Sequence, residues 1–82
     1  MVETINKPIR VIALFEHGQI KPLRVEWNAR TYHVSAVNNV WRETVGTAKH
    51  IHLAVETKEG VAMELVVDPK DMSWRLESVD TE

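Results

Sequence analysis

Hydrophobic and polar residues alternate along most of this chain, with the two-residue period that is typical of half-buried β-strands. Leu23, Val25 and Trp27 alternate with charged residues, so we expect all three side chains to face a core. A tight turn over Ala29-Arg30 would then bring Trp27 close to Tyr32 on the same face.

The strand predicted from Pro8 to Phe15 carries apolar side chains on both of its faces. Ile9 and Val11 share one face, and Ile12 and Leu14 share the other, which predicts a strand covered on both sides. No helix is predicted to supply the second cover. A homodimer would supply it; the alternative is that scattered exposed aliphatic residues need no cover.

The clearest predicted hairpin joins Lys49–Thr57 to Val61–Asp68 through Lys58-Glu59-Gly60, in which Gly60 suits a left-handed loop position. Alternation then predicts the register, because a slip of one residue would turn every apolar side chain outward. The predicted core pairs are Val55 with Met63, Leu53 with Leu65 and Ile51 with Val67.

The stretch from Asn38 to Gly46 fits two patterns. Val37, Val40 and Trp41 have helical spacing, whereas Trp41 and Glu43 also fit an alternating strand. We predict a strand, because Val and Thr are weak helix formers and the segment is short for an isolated helix.

These segments together predict an all-β fold: a six- to seven-stranded antiparallel meander that forms a small barrel or a strongly bent sheet. Residues 1–82 are expected to form a single domain with an ordered core from about residue 8 to residue 79. Met1 to Lys7 and Asp80 to Glu82 are predicted to be loose ends. We expect inward side chains to fill the interior and leave no pocket of roughly 300 to 1,000 Å³, the usual size of ligand sites.

Composition narrows the classes of function. The chain is 44% hydrophobic and 27% charged and contains no Cys, which excludes disulfides and thiolate chemistry and favours a cytoplasmic protein. Its apolar runs are too short to cross a bilayer, so no membrane partner is expected. The sequence has no nucleophile elbow and no Gly-rich phosphate loop, so we predict neither catalysis nor a cofactor.

Charge is distributed unevenly: six basic and three acidic residues precede Glu43, and four basic and nine acidic residues make up the rest. We predict that Arg10, Arg24 and Arg30 face outward on the first strands. Trp41 is the one Trp without a clear inward position. The candidate binding site for a protein partner or a single-stranded nucleic acid is therefore Arg10, Arg24, Arg30 and Trp41.

His50 and His52 project from the same face of one strand, as metal ligands in β-proteins do. The predicted hairpin places His50 opposite Asp68 and Glu64 diagonal to His52. One alternative function is therefore a divalent-metal site formed by His50, His52, Glu64 and Asp68. Exposed polar pairs are the other explanation of this pattern.

Several spaced landmarks resemble those of a small bacterial domain family of unknown function that is associated with Y-family DNA polymerases and DNA-damage-tolerance genes. The landmarks are Pro8-Ile9-Arg10-Val11, Trp27-x-x-Arg30-x-Tyr32-x-Val34, Trp41, Glu64-Leu65 and Trp74-x-Leu76-Glu77. The resemblance covers Pro8 to Val79, although this chain has Ala29 where the family pattern has Gly. It implies a noncatalytic binding or accessory module. A self-associating structural domain is the third hypothesis.

Overall fold

The computed structural model describes residues 1–81, which form six β-strands. The predicted all-β antiparallel meander is confirmed, and Asn38 to Val45 is strand, as predicted. No helix able to span a membrane occurs in the described part of the chain. The strands are β1 (Val2–Glu16), β2 (Gln19–Trp27), β3 (Arg30–Val45), β4 (Ala48–Thr57), β5 (Val61–Asp68) and β6 (Ser73–Thr81).

Each strand pairs antiparallel with the next one, and β1 also pairs with β6, so the meander closes into a ring. Two long strands change partners along their length. β1 pairs with β6 over residues 2–9 and with β2 over residues 10–16. β3 pairs with β2 over residues 30–33 and with β4 over residues 34–45. The second part of β1, β2 and the first part of β3 form one sheet, which we call the β1–β2–β3 sheet. The second part of β3, then β4, β5, β6 and the first part of β1 form the other, which we call the β3–β6 sheet. The two sheets share β1 and β3 and enclose one core.

The core lies mainly on the inner face of β4, β5 and β6. The predicted β4–β5 register is confirmed, and Leu53 and Leu65, which pair directly, are both 0% exposed. Thr57 closes the hairpin, since its hydroxyl donates a hydrogen bond of 2.7 Å to the Val61 carbonyl. Gly60 has a φ of 83°, the left-handed conformation expected of it. Each fully buried Leu contributes about 1.5 to 3 kcal/mol relative to an exposed one.

A β-bulge in β2 overturns the predicted position of Leu23. Ile12 pairs with Arg24, but the next residue, Ala13, pairs with Pro22, so Leu23 has no partner on β1. A bulge of this kind shifts the alternation by one residue. Pro22 takes the buried position, and Leu23 is 50% exposed.

The β2–β3 turn lies one residue earlier than predicted. Asn28 and Ala29 both have positive φ values, 55° and 60°, which is typical of a type I′ hairpin turn. The predicted contact between Trp27 and Tyr32 is confirmed, with ring centroids 6.1 Å apart. Arg30 pairs directly with Trp27, so it lies on the face of Trp27 and Tyr32 rather than on the outward face predicted for it.

One further expectation is corrected at the two ends of the chain. Val2 pairs with Asp80, so the predicted loose ends are the paired strands that close the ring; Glu82 lies outside the described residues. On the second face of β1, Ile12 is 45% and Leu14 43% exposed within residues 1–81, and the homodimer that would cover them stays a prediction.

Candidate functional site

The candidate site is a cleft that opens where β2 and β3 separate. The two strands pair only from Arg24–His33 to Trp27–Arg30. Beyond this point the His33 carbonyl accepts a hydrogen bond of 2.8 Å from the Lys58 amide in the β4–β5 loop. The rest of β3 then follows β4, and the first half of β2 follows β1. We call the space between them the β2–β3 cleft.

Two β-bulges in β3 shape this cleft. Ser35 and Asn38 are skipped in the β3–β4 register, so β3 advances three residues where β4 advances two. Both side chains bond Glu56 of β4: the Ser35 hydroxyl donates to its carbonyl at 3.2 Å, and the Asn38 amide donates to its carboxylate at 3.0 Å. Because bulges bend and twist a strand, these two direct β3 away from β2.

The walls of the cleft are mainly apolar. Its volume is about 660 Å³, so the expectation that side chains fill the interior is wrong. Val37 and Val40 pair with the buried Val55 and Leu53, yet they are 39% and 48% exposed because the cleft lies beside them. Ile20 and Pro22 of β2, Val34 of β3 and Ile51 of β4 also line it.

The two charged residues that line the cleft are both cationic. Lys21 borders it on β2, with its side chain on the outer face beside Leu14, and Arg42 borders it on β3. The Lys21 ammonium lies 3.8 Å from the Glu16 carboxylate, whereas Arg42 makes no ion pair with any residue of the described chain. Arg42 pairs with Ile51, which places it on the inward face of β3 beside Val40. The cleft therefore combines apolar walls with positive charge.

Backbone edges border the cleft on both sides. Residues 19–22 of β2 pair with β1 alone, and residues 34–45 of β3 pair with β4 alone. Within residues 1–81, no further backbone hydrogen bond joins either free edge. An unpaired strand edge presents N–H and C=O groups that can pair with another extended chain.

The predicted partner-binding residues do not form one surface. Arg10 and Arg24 lie on the outward face of the β1–β2–β3 sheet, and the Arg10 guanidinium is 3.9 Å from the Glu26 carboxylate. Arg10 and Arg30 line a shallow hollow of about 330 Å³ together with Glu26. Trp41 belongs instead to the outer face of the β3–β6 sheet, where it pairs with His52.

The predicted metal ligands are brought together as two pairs. His52 Nδ1 lies 3.0 Å from Glu64 Oε2, which accepts its hydrogen bond, and His50 Nε2 lies 3.9 Å from Asp68 Oδ2. Glu43, which sequence reasoning did not single out, places a carboxylate oxygen 3.5 Å from His52 Nε2. Within residues 1–81, no group of three or more His, Asp or Glu side chains is arranged to hold a metal ion.

Two carboxylates have lowered pKa values. The pKa of Glu59 falls below its usual value because the carboxylate accepts hydrogen bonds from the His33 side chain and from the His33 main-chain amide. The pKa of Asp71 falls because its carboxylate accepts hydrogen bonds from the Ser73 side chain and from the Ser73 main-chain amide, the latter at 2.9 Å. Glu59 thus ties the β4–β5 loop to β3 at the point where β3 leaves β2.

Sequence reasoning missed the cleft, although one signal was present. Val34, Val37 and Val40 recur every three residues, which resembles helical spacing. In the structure each step of three contains one bulge residue, so all three valines lie on the inward face. The spacing that favoured a helix was therefore the spacing of a strand bulged twice.

Comparison of the chain with protein-family models, with curated proteins and with solved structures gives no match. Its function is therefore argued from the geometry of the β2–β3 cleft.

Proposed function

We propose that this protein is a noncatalytic binding module that recognises a protein partner through the β2–β3 cleft. The observation that carries the proposal is an apolar cleft of about 660 Å³ bordered by two unpaired strand edges. Protein ligands use both features, because main-chain pairing supplies affinity and apolar contacts supply specificity.

The resemblance to a family associated with Y-family DNA polymerases suggests a partner in DNA-damage tolerance. A nucleic acid would instead be expected at Arg10 and Arg24. Two observations favour a protein: Glu26 offsets the charge of Arg10, and the aromatic Trp41 that would stack a base lies on the other sheet. Single-strand binders combine a basic groove with aromatic platforms on one surface.

Affinity capture followed by direct titration tests this function. The tagged protein would capture partners from the cells that make it, and each captured protein would then be purified and titrated by calorimetry. Val40→Glu places a charge on the cleft wall, and we expect it to abolish binding. Val2→Glu is the matched control, since Val2 is an exposed valine of β1 that does not line the cleft.

The double substitution Arg10→Glu and Arg24→Glu supplies the opposite outcome. We expect it to leave partner binding unchanged. If it abolishes binding while Val40→Glu does not, the binding site lies on the outward face of β1 and β2. A titration with single-stranded oligothymidylate gives a second check: salt-sensitive amide shifts around Arg10 and Arg24 would favour a nucleic acid.

A further inference from the structure

We infer that the occupant of the β2–β3 cleft is an extended acidic peptide segment of the partner, which adds a strand to the free edge of β3. This inference rests on the proposed function and names the chemistry of the ligand. The occupant would become a seventh strand of the ring, supplied by another protein.

Only part of the free edge of β3 is regular enough to pair with another strand. Bulges interrupt β3 at Ser35 and Asn38, and a bulge twists the local edge away from a neighbour. From Asn39 to Val45 the β3–β4 register runs without a shift. A strand of such length extends by roughly 3.3 Å per residue, so this stretch offers a continuous pairing edge. The occupant is therefore expected along Asn39–Val45.

The inward side chains of β3 would contact the side chains of the occupant. Side chains on adjacent paired strands contact one another on the same face. On the inward face of this stretch, β3 presents Val40 and then Arg42. The inward side chains of an added strand would thus meet an apolar residue at one position and a cation at the next.

The charge beside the cleft favours an acidic occupant. Arg42 lies on the inward face of β3 and makes no ion pair with any described residue, whereas Lys21 pairs with Leu14 on the outer face, where the Glu16 carboxylate lies 3.8 Å from its ammonium. Opposite charges placed directly across two strands stabilise the pair, and like charges destabilise it. An occupant with an aliphatic side chain opposite Val40 and a carboxylate opposite Arg42 matches this edge of β3.

The main-chain part of this inference is tested with synthetic peptides and ¹⁵N-labelled protein. The probe is a short capped peptide with the pattern Val-Thr-Glu-Thr-Val, so that valine, glutamate and valine share one face of the strand. We expect amide shifts along Asn39–Val45 and Gln19–Leu23, together with slowed hydrogen exchange in the first segment. A peptide of the same sequence that is N-methylated at alternate positions loses the donors that face β3, and it is expected not to bind. Equal binding of the methylated peptide would overturn strand addition.

The preference for an acidic occupant is tested by reversing the charge of residue 42 and, separately, the charge of the peptide. Arg42→Glu is expected to weaken binding of the glutamate peptide by about tenfold. The same variant should bind more tightly to the matching peptide that carries lysine in place of glutamate. Circular dichroism verifies that this exposed substitution leaves the fold intact. If the variant and the parent protein bind both peptides equally, the acidic specificity is wrong.

Three further outcomes would overturn this inference, and the second of them leaves the proposed function intact. If dodecanoate shifts the cleft amides and neither peptide does, the occupant is an apolar anion and strand addition is overturned. If the purified partner binds in a manner sensitive to Val40→Glu while no peptide binds, the cleft remains the binding site and only the strand-addition inference fails. Sedimentation of the protein alone reports its mass. A dimer that Val40→Glu dissociates would mean that a second copy occupies the edge, and the acidic partner peptide would be wrong.

Discussion

The indole of Trp41 lies nearly flat against the imidazole of His52, with ring centroids 5.2 Å apart and ring planes inclined by 16°. The two residues pair directly across β3 and β4, and Glu64 holds the far side of the imidazole through a bond of 3.0 Å. His52 is therefore only 6% exposed although it is on the outer face of the sheet. An aromatic side chain covers this part of the sheet, where many folds use a helix.

Removal of the Trp41 ring should destabilise the fold. We expect Trp41→Ala to lower the free energy of unfolding by about 2 kcal/mol. A stacked aromatic pair contributes roughly 0.5 to 1.5 kcal/mol beyond the stabilisation that comes from the apolar area it buries. Urea unfolding followed by circular dichroism measures the loss. Val45→Ala, at an exposed position of the same strand, should cost under about 0.5 kcal/mol. Equal losses in the two variants would mean that the stack contributes no stability.

Leu23 and Leu53 both lie within alternating patterns, but their truncations should differ. Leu53 is 0% exposed and Leu23 is 50% exposed. We expect Leu53→Ala to cost about 2 to 5 kcal/mol, because it leaves a core cavity, and Leu23→Ala to cost under about 1 kcal/mol. Thermal or urea unfolding of the two variants is the measurement. A large loss at Leu23 would contradict the bulge in β2.

The β2–β3 turn should be improved by glycine. Ala29 has a φ of 60°, and a left-handed conformation costs a residue with a Cβ about 1 to 2 kcal/mol. Glycine avoids that cost but loses more backbone entropy on folding, so Ala29→Gly should stabilise the protein by about 0.5 to 1 kcal/mol. Ala48→Gly, at an exposed strand position, should instead destabilise it. A loss of stability in Ala29→Gly would contradict the type I′ turn.

The hydrogen bonds between Glu59 and His33 should make stability depend on pH. The pKa of Glu59 is lowered in the folded protein from its usual 4.5, chiefly by the hydrogen bond with the His33 side chain. A lowered folded-state pKa stabilises the fold above the pKa of the unfolded chain, and this contribution is lost as pH falls through the folded-state value. When the free energy of unfolding is measured from pH 6 to pH 3, it should fall in the parent protein below about pH 4.5. The fall should be smaller in Glu59→Gln.

A matched variant isolates the role of the His33 contact in this pH dependence. Glu3→Gln removes an exposed carboxylate from β1 and should retain the acid-induced loss of the parent protein. NMR titration of the Glu59 side chain reports its pKa directly. A value at or above the usual one would remove the physical basis of the prediction.

The strand pattern and the β4–β5 register were predictable because both depend on local features. Alternation from Ile51 to Val55 matches the strand that follows Gly60, and a slip of one residue would expose every apolar side chain. The proximity of His52 to Glu64 follows from the same register. These relationships hold in any fold that contains this hairpin.

The bulges depend on how each strand fits against its paired neighbour, and the sequence pattern predicted none of them. Leu23 turns outward because β2 must match β1, and Asn38 is skipped because β3 must curve while it bonds Glu56. Each bulge shifts the alternation by one residue without a local sequence signature of its own.

The sequence by itself therefore determined the strand-forming segments, their antiparallel order and the hairpin that builds most of the core, because side-chain parity is a property of neighbouring residues. Only the tertiary structure decided that β1 and β6 pair, that β2 and β3 separate, and that Val40 and Arg42 face an open cleft. Ring closure must satisfy the pairing of all six strands at once. The positions where the strands bend and part follow from that collective requirement rather than from any single segment.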